Sequence, residues 1–297
     1  MPELPDLTVY IEHLERRLLG RRLEGVRLAS PFVLRTVTPT VDELAGRSLQ
    51  SITRLGKQLV FGFDDHFFIV LHLMISGRLQ WKDAGRTLPK VPAQIGLVAF
   101  DFETGSLLFT EASKKKRASM KLLHGESALL DLDPGGLEVL LLSVERFGER
   151  LHQTHHTLKR ALTDQRVFAG IGNAYSDEIL HRARMSPFKL ARTMSAEEAA
   201  TLHRATASVL TEWTSRLRDE SGATFPARVT AFHEAMAVHG RYRQPCPVCS
   251  APVQRIQYAE NESNYCARCQ TQGRVLADRS LSRLLKDDWP KRIEELG

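Results

Sequence analysis

Cysteine, tryptophan and tyrosine are scarce in this chain, at 4, 3 and 5 of 297 residues. Four cysteines are too few to staple a disulfide scaffold of this length, so an oxidising compartment is not required. No apolar run approaches the roughly 18–20 residues of a membrane helix, so no membrane partner is expected. The opening MPELPDLTVYIEHLERR has no cationic segment followed by an apolar stretch and does not read as a secretory signal. Glycine (19) and proline (13) are too few for a collagen-like or low-complexity chain. Acidic residues are outnumbered, 35 Asp and Glu against 41 Lys and Arg, for a net charge of +6. A cytosolic protein with a polyanionic partner is the first expectation.

What is present is an ordinary globular composition, 42% hydrophobic and 26% charged, over a length that suggests two domains. From about Glu24 to Leu123 the chain reads as short strands bounded by Gly, Asp and Pro. Examples are Gln58–Phe63, Phe67–Leu73, Ile95–Phe102 and Ser106–Thr110, the pattern of a sandwich or barrel. A helix precedes them, with Leu7, Ile11, Leu14 and Leu18 on one face, Pro5 in its first turn and Gly20 past its end. From about Pro134 to Met236 the pattern is helical. Ser195-x-x-Glu198 is a capping box opening a helix along which Leu202, Val209, Trp213 and Leu217 recur. Arg218–Pro226 reads as an exposed loop, followed by a short helix with Val229, Phe232 and Met236 on its inner face. Gly240 begins a Cys-, Pro- and Arg-rich stretch, and a further helix-like segment lies around Leu281–Leu285.

Cys246-x2-Cys249 and Cys266-x2-Cys269, 16 residues apart, have the spacing of a four-cysteine zinc site with a hairpin between the pairs. The competing readings are two disulfides or free thiols. Four thiolates leave no open coordination position, so a single structural Zn2+ is expected. Arg241, Arg243, Arg255 and Arg268 make this module basic. In the helical segment, Gly170-Ile171-Gly172 forms a tight turn and Asn173 reads as the N-cap of the next helix. Such a turn is either a phosphate site or a plain helical corner. At the chain start, Pro2 is small enough for removal of the initiator Met. That leaves a secondary α-amine whose pKa, about 7.7–8.0 for an ordinary chain start, makes a useful fraction nucleophilic. Without other features, the same residues simply open a helix.

Taken together, the chain resembles the formamidopyrimidine-DNA glycosylase/endonuclease VIII family. The resemblance is carried by Met-Pro-Glu-Leu-Pro at the start, Leu55-Gly56-Lys57-Gln58-Leu59, Asp164-Gln165 through Gly170-Ile171-Gly172-Asn173-Ala174-Tyr175, and Tyr265-Cys266-Ala267-Arg268-Cys269-Gln270, in the family's order over about residues 1–270. It implies a multidomain α+β fold. An N-terminal helix and β-sandwich would span 1–132, a helix-two-turn-helix domain 133–238 and a zinc finger 239–272, with an extension at 273–297. It implies binding of double-stranded DNA containing damaged bases or abasic sites by a cytoplasmic, bacterial-type, nucleoid-associated monomer. It also implies a base-excision-repair glycosylase with AP lyase activity. Pro2 would form an imine at the sugar, Glu3 would move protons, and Lys57 would hold phosphate beside the lesion, ending in β,δ-elimination. Asn173 and Lys159 are its implied phosphate contacts.

Three features depart from the family's pattern. A DPRRFG-like loop is replaced by Glu111-Ala112-Ser113-Lys114-Lys115-Lys116-Arg117-Ala118-Ser119, which leaves Lys116 or Arg117 to fill the gap behind a flipped base. HLGMSG reads His72-Leu73-Met74-Ile75-Ser76-Gly77, with Met74 or Ile75 as the apolar wedge. The arginine five residues before the third cysteine is Asn261, flanked by acids. The alternative function is a non-catalytic binder of damaged DNA on the same fold, which has no need of Pro2 or Glu3. A zinc-ribbon protein of transcription is a third reading, and it leaves the N-terminus unexplained.

Overall fold

The computed structural model describes residues 1–226, 233–258, 261–277, 283–286 and 290–296. Helix α1, Leu4–Leu18, starts as its composition dictates. Pro5 sits in the first turn and Asp6 accepts the Glu3 amide at 2.8 Å. Eight strands follow: β1 (Leu23–Leu28), β2 (Leu49–Leu55), β3 (Gln58–Phe63), β4 (Phe67–His72), β5 (Gly77–Asp83), β6 (Gly96–Phe102), β7 (Gly105–Glu111) and β8 (Ser119–His124). They form two antiparallel four-stranded sheets, ordered β1-β6-β7-β5 and β2-β3-β4-β8. Phe61, Ile69 and Leu71 of one sheet share a buried core with Val98, Phe100 and Phe109 of the other, as a sandwich requires. Leu7, Leu14 and Leu18 of α1 join that core, while Ile11 packs at its margin. The expected helix-plus-sandwich is therefore present.

Among the described residues after the sandwich, helices dominate as far as Ser221 and the zinc module follows. This stretch contains α2 (Glu126–Leu130), α3 (Val144–His152), α4 (Leu158–Thr163), α5 (Asn173–Arg182) and α6 (Ala196–Ser221), then the hairpin β9 (Gln254–Tyr258) and β10 (Asn261–Tyr265) and the short α7 (Ala267–Thr271). The predicted capping box opens α6: the Ser195 amide donates to Glu198 Oε2 at 2.9 Å and the Glu198 amide to Ser195 Oγ at 3.2 Å.

The chain divides into two compact units. Met1–Pro134 with Trp213–Thr230 forms one, and Gly135–Glu212 with Ala231–Gly297 forms the other. Trp213–Thr230 thus groups with the sandwich, and the zinc module groups with α3–α5.

Arg218–Pro226 corrects an expectation. The helix continues through Arg218 to Ser221 rather than breaking into an exposed loop. Arg218 forks onto Glu12 of α1, with Nη2–Oε1 at 2.7 Å and Nε–Oε2 at 2.9 Å, and Ser221 Oγ lies 3.1 Å from His13 Nε2. Regular backbone ends only at Gly222, in the left-handed region, and Phe225 beyond it is buried 5.7 Å from the Tyr10 ring. The polar run does not break the helix because its arginine and serine have partners on α1. Met236 is buried in a turn, not on a helix. Val229 and Phe232, expected beside it, lie outside the described residues, as does Leu281, and Arg283–Leu285 makes a single helical turn.

Gly77 opens β5 where a side chain has no room. A Cβ there would lie 2.2 Å from the Leu73 carbonyl oxygen, which accepts the Gly77 amide at 2.8 Å. Gly77→Ala must displace this turn. It is expected to lower unfolding free energy by about 1–3 kcal/mol, measured by chemical denaturation.

Candidate active site and metal centre

The chain start is buried in the first unit. Pro2, Glu3 and Asp6 are all buried, and Lys57, in the turn from β2 to β3, is only 8% exposed. Gly56 takes the positive φ, 58°, that this turn needs. Burial pulls the Met1 amine below its ordinary pKa. The charges of Glu3 and Asp6 oppose this, and those of Arg78 and Lys57 assist it. Burial likewise pushes Asp6 up to about 7. His72, paired with Gln58 across β3 and β4, is held below its usual value by burial and by the charges of Lys57 and Lys121. An amine, two carboxylates and two cations thus share one electrostatic neighbourhood. Pro2, Glu3 and Lys57 were legible as candidates, whereas Asp6, His72 and Arg78 were not singled out. Asp6 and Arg78 carry no motif of their own and join only through the folding of α1 and β5.

The turn Met74–Ser76 joins β4 to β5. Met74 adopts the left-handed conformation, φ 52°, and its amide donates to His72 Nδ1 at 3.1 Å. Arg78 Nη1 braces the turn from below, donating to the Ile75 carbonyl at 3.0 Å and the Gly77 carbonyl at 2.7 Å. This leaves Ile75 59% exposed and Met74 half-buried, so Ile75 is the apolar side chain presented to solvent. In the basic loop after β7, Lys116 folds back onto the carbonyls of Gln94, at 3.0 Å, and Glu111. Arg117 is exposed.

In the second unit, Gln165 braces the glycine turn. It accepts the Gly170 amide at 2.9 Å and donates to the Ile171 carbonyl at 2.8 Å. Gly172, not Asn173, is the N-cap of α5, and Asn173 is the helix's first residue, half-buried. The extended backbone of Gly172 makes the entry, so no side-chain cap is used. Lys159 is 13% exposed and donates to the Asn173 carbonyl and to Asp177 Oδ1, each at 2.6 Å. Two of its three donors are therefore committed inside the protein.

Asp177 and Glu178, near the start of α5, are both buried and grip the zinc module. Asp177 accepts from His239 at 2.8 Å, from Ser263 Oγ at 3.2 Å and from Asn264 Nδ2 at 3.3 Å. Burial opposes its charge, yet Lys159 and His239 outweigh burial and hold it below the usual carboxylate range. Glu178 accepts the amides of Ala237, Val238 and His239 at 2.7–2.9 Å.

The four cysteine sulfurs lie within 4.8 Å of one another, with Cys246–Cys269 at 3.9 Å and Cys249–Cys266 at 3.4 Å. Tetrahedral zinc with bonds of about 2.3 Å sets sulfurs about 3.8 Å apart, so the donor set fits one Zn2+. With every ligand a thiolate, the ion is structural. No helix among the described residues is long and apolar enough to cross a membrane.

The comparisons agree with this architecture. Residues 1–118 match the formamidopyrimidine-DNA glycosylase N-terminal domain, 139–223 the formamidopyrimidine-DNA glycosylase H2TH domain, and 243–272 the zinc finger found in FPG and IleRS. The formamidopyrimidine-DNA glycosylase of Desulforamulus reducens is 33% identical, over 91% of this chain and 99% of the relative. That of Thermus thermophilus is 32% identical, over 92% and 100%. The solved complex of Lactococcus lactis Fpg with abasic-site DNA superposes with a TM-score of 0.78 at 25% identity, covering 91% of this chain and 99% of that one. MutM in complex with carbocyclic 8-oxo-G DNA gives 0.76 at 25% identity, covering 91% and 100%. The fold is that of a zinc-finger DNA-repair glycosylase. Within that class the chain belongs to the formamidopyrimidine-DNA glycosylase family.

The raised Asp6 pKa gives a signed pH effect. Between about pH 4 and 7 the folded state holds a proton that the unfolded state has lost, so Asp6 costs progressively more stability as pH rises through that window. Asp6→Asn, which keeps an acceptor for the Glu3 amide, is expected to remove that contribution. Denaturation from pH 4 to 8 should show the variant gaining on the unmodified protein as pH rises; parallel profiles would contradict the assignment.

Proposed function

We propose that the protein removes damaged, oxidised bases from double-stranded DNA and cleaves the strand at the resulting abasic site, with Pro2 as nucleophile once Met1 is removed. The observation that carries this is the chain start itself: Pro2, Glu3, Asp6 and Lys57 are all buried, and the Met1 amine, one residue ahead of Pro2, is held below its ordinary pKa by burial. A neutral secondary amine in that place suits attack on the sugar C1′. The base departs with the electrons of the glycosidic bond, and the amine nitrogen joins C1′ as an iminium. Glu3 moves the protons: it assists ring opening and then loss of the C2′ proton that expels the 3′ phosphate. A second elimination expels the 5′ phosphate. Lys57 supplies positive charge for phosphate beside the lesion.

The relatives support the substrate class. Solved family members were captured with an abasic site, with carbocyclic 8-oxo-G and with Fapy-dG in DNA. Their bacterial sources support a cytoplasmic site of action. Ile75 is the proposed apolar wedge, with Met74 beneath it in the same turn. Arg117, exposed, and Lys116, folded back onto two carbonyls, are the basic-loop candidates to reach into the gap. Asn173 is the proposed phosphate contact of the glycine turn, and Lys159 acts on that turn by holding its carbonyl.

Glu3→Gln separates the two steps. Excision of a damaged base is expected to fall by about 10²-fold or more, while cleavage of a preformed abasic site falls less, because that substrate has already lost its base. DNA affinity should hold. Unchanged base release in single-turnover assays would overturn the role given to Glu3.

A further inference from the structure

The four-cysteine motif accounts for the zinc ligands, but it does not account for a buried histidine set against one of them. His181, 6% exposed near the end of α5, places Nε2 3.3 Å from Cys246 Sγ. The other donors to the sulfurs include local backbone amides: Val248 to Cys246 at 3.4 Å and Cys269 to Cys266 at 3.5 Å. His181 is instead 65 residues away in sequence and belongs to a different element. A zinc-bound cysteine is a thiolate with no proton to give, so the ring nitrogen facing it must be the donor.

We infer that His181, as its Nε2–H tautomer, is a positioning residue that donates a hydrogen bond to the zinc-bound Cys246 thiolate and ties the metal centre to α5. The inference rests on the zinc assignment alone and is independent of the glycosylase chemistry. A four-thiolate site carries two net negative charges, and each donor to sulfur draws electron density off it and resists ligand loss. The placement gives α5 three grips on the zinc module, through Asp177, Glu178 and His181 at helical positions i, i+1 and i+4. The first two hold backbone and side chains around the finger. His181 alone of the three reaches the ligand shell.

The test uses the full-length zinc protein with His181→Phe, which fills the volume without a donor, and His181→Gln, which restores an N–H at similar reach. Zinc transfer to a chromophoric chelator is expected to be about 10–100-fold faster in the Phe variant and near the unmodified rate in the Gln variant. In cobalt-substituted protein, the sulfur-to-metal charge-transfer band should move to longer wavelength in the Phe variant only. Equal rates and bands for the Phe variant and the unmodified protein would overturn the inference, as would equally fast release from both variants. Should the Phe variant not fold, cadmium-113 NMR of the unmutated protein decides. A through-bond correlation from the metal to the His181 Nε2–H is expected beside that of the Val248 amide. The amide signal without the imidazole signal would overturn it.

Discussion

Burial of the charged chain start is the constraint on which the first unit turns. A free amine and two carboxylates in the opening residues would ordinarily stay in water, because taking charges out of it is costly unless they are paired. Here α1 begins with those groups and then delivers Leu7, Leu14 and Leu18 into the sandwich core, so the helix cannot be seated without drawing its start inside. Lys57 and Arg78 supply the compensating charge, and each is fixed by a turn: Gly56-Lys57 between β2 and β3, and the braced Met74–Ser76 turn ahead of β5. The cost that remains appears as a carboxyl, Asp6, pushed up to about 7, and a Met1 amine held below its ordinary pKa.

The second unit solves a related problem with opposite economy. Its zinc module is small, and β9, β10 and α7 enclose only a minor apolar cluster around Val253, Ile256 and Tyr265. Metal thiolates supply part of the cohesion, and two buried acids on α5 supply much of the rest. Glu178 is fully engaged by three backbone amides, and Asp177 by Lys159, His239, Ser263 and Asn264. Removing one partner would leave a buried charge exposed to its full desolvation cost. The same helix begins at the glycine turn that Gln165 staples, so the turn and the finger share one rigid element.

Features set by local chemistry could be read from the residues alone. The zinc ligands follow from spacing, the α6 capping box from Ser195 and Glu198, and the strands from runs of Val, Ile, Leu and Phe between turn residues. Glycine at 170 was legible because a turn there needs positive φ. Partners distant in sequence were not legible. Arg218–Ser221 looked like a break until α1 provided Glu12 and His13. Lys159 looked like a free phosphate contact until Asp177 came within 2.6 Å. Asn173 has the usual chemistry of a cap, yet Gly172 enters the helix with extended backbone and takes the position first. His181 had no signal at all, since a lone histidine on a helix acquires meaning only when a cysteine 65 residues later packs on it.

The central claim is that the chemistry resides in the chain's own first amine. Borohydride reduction during reaction with duplexes carrying an oxidised base or an abasic site, followed by mass mapping of the trapped peptide, tests it directly. The account predicts a covalent DNA adduct at Pro2 with Met1 absent, and its loss when Met1 or an N-terminal tag is retained. An adduct at Lys57 or at any residue other than Pro2, or normal DNA binding with no adduct on any lesion, would contradict it.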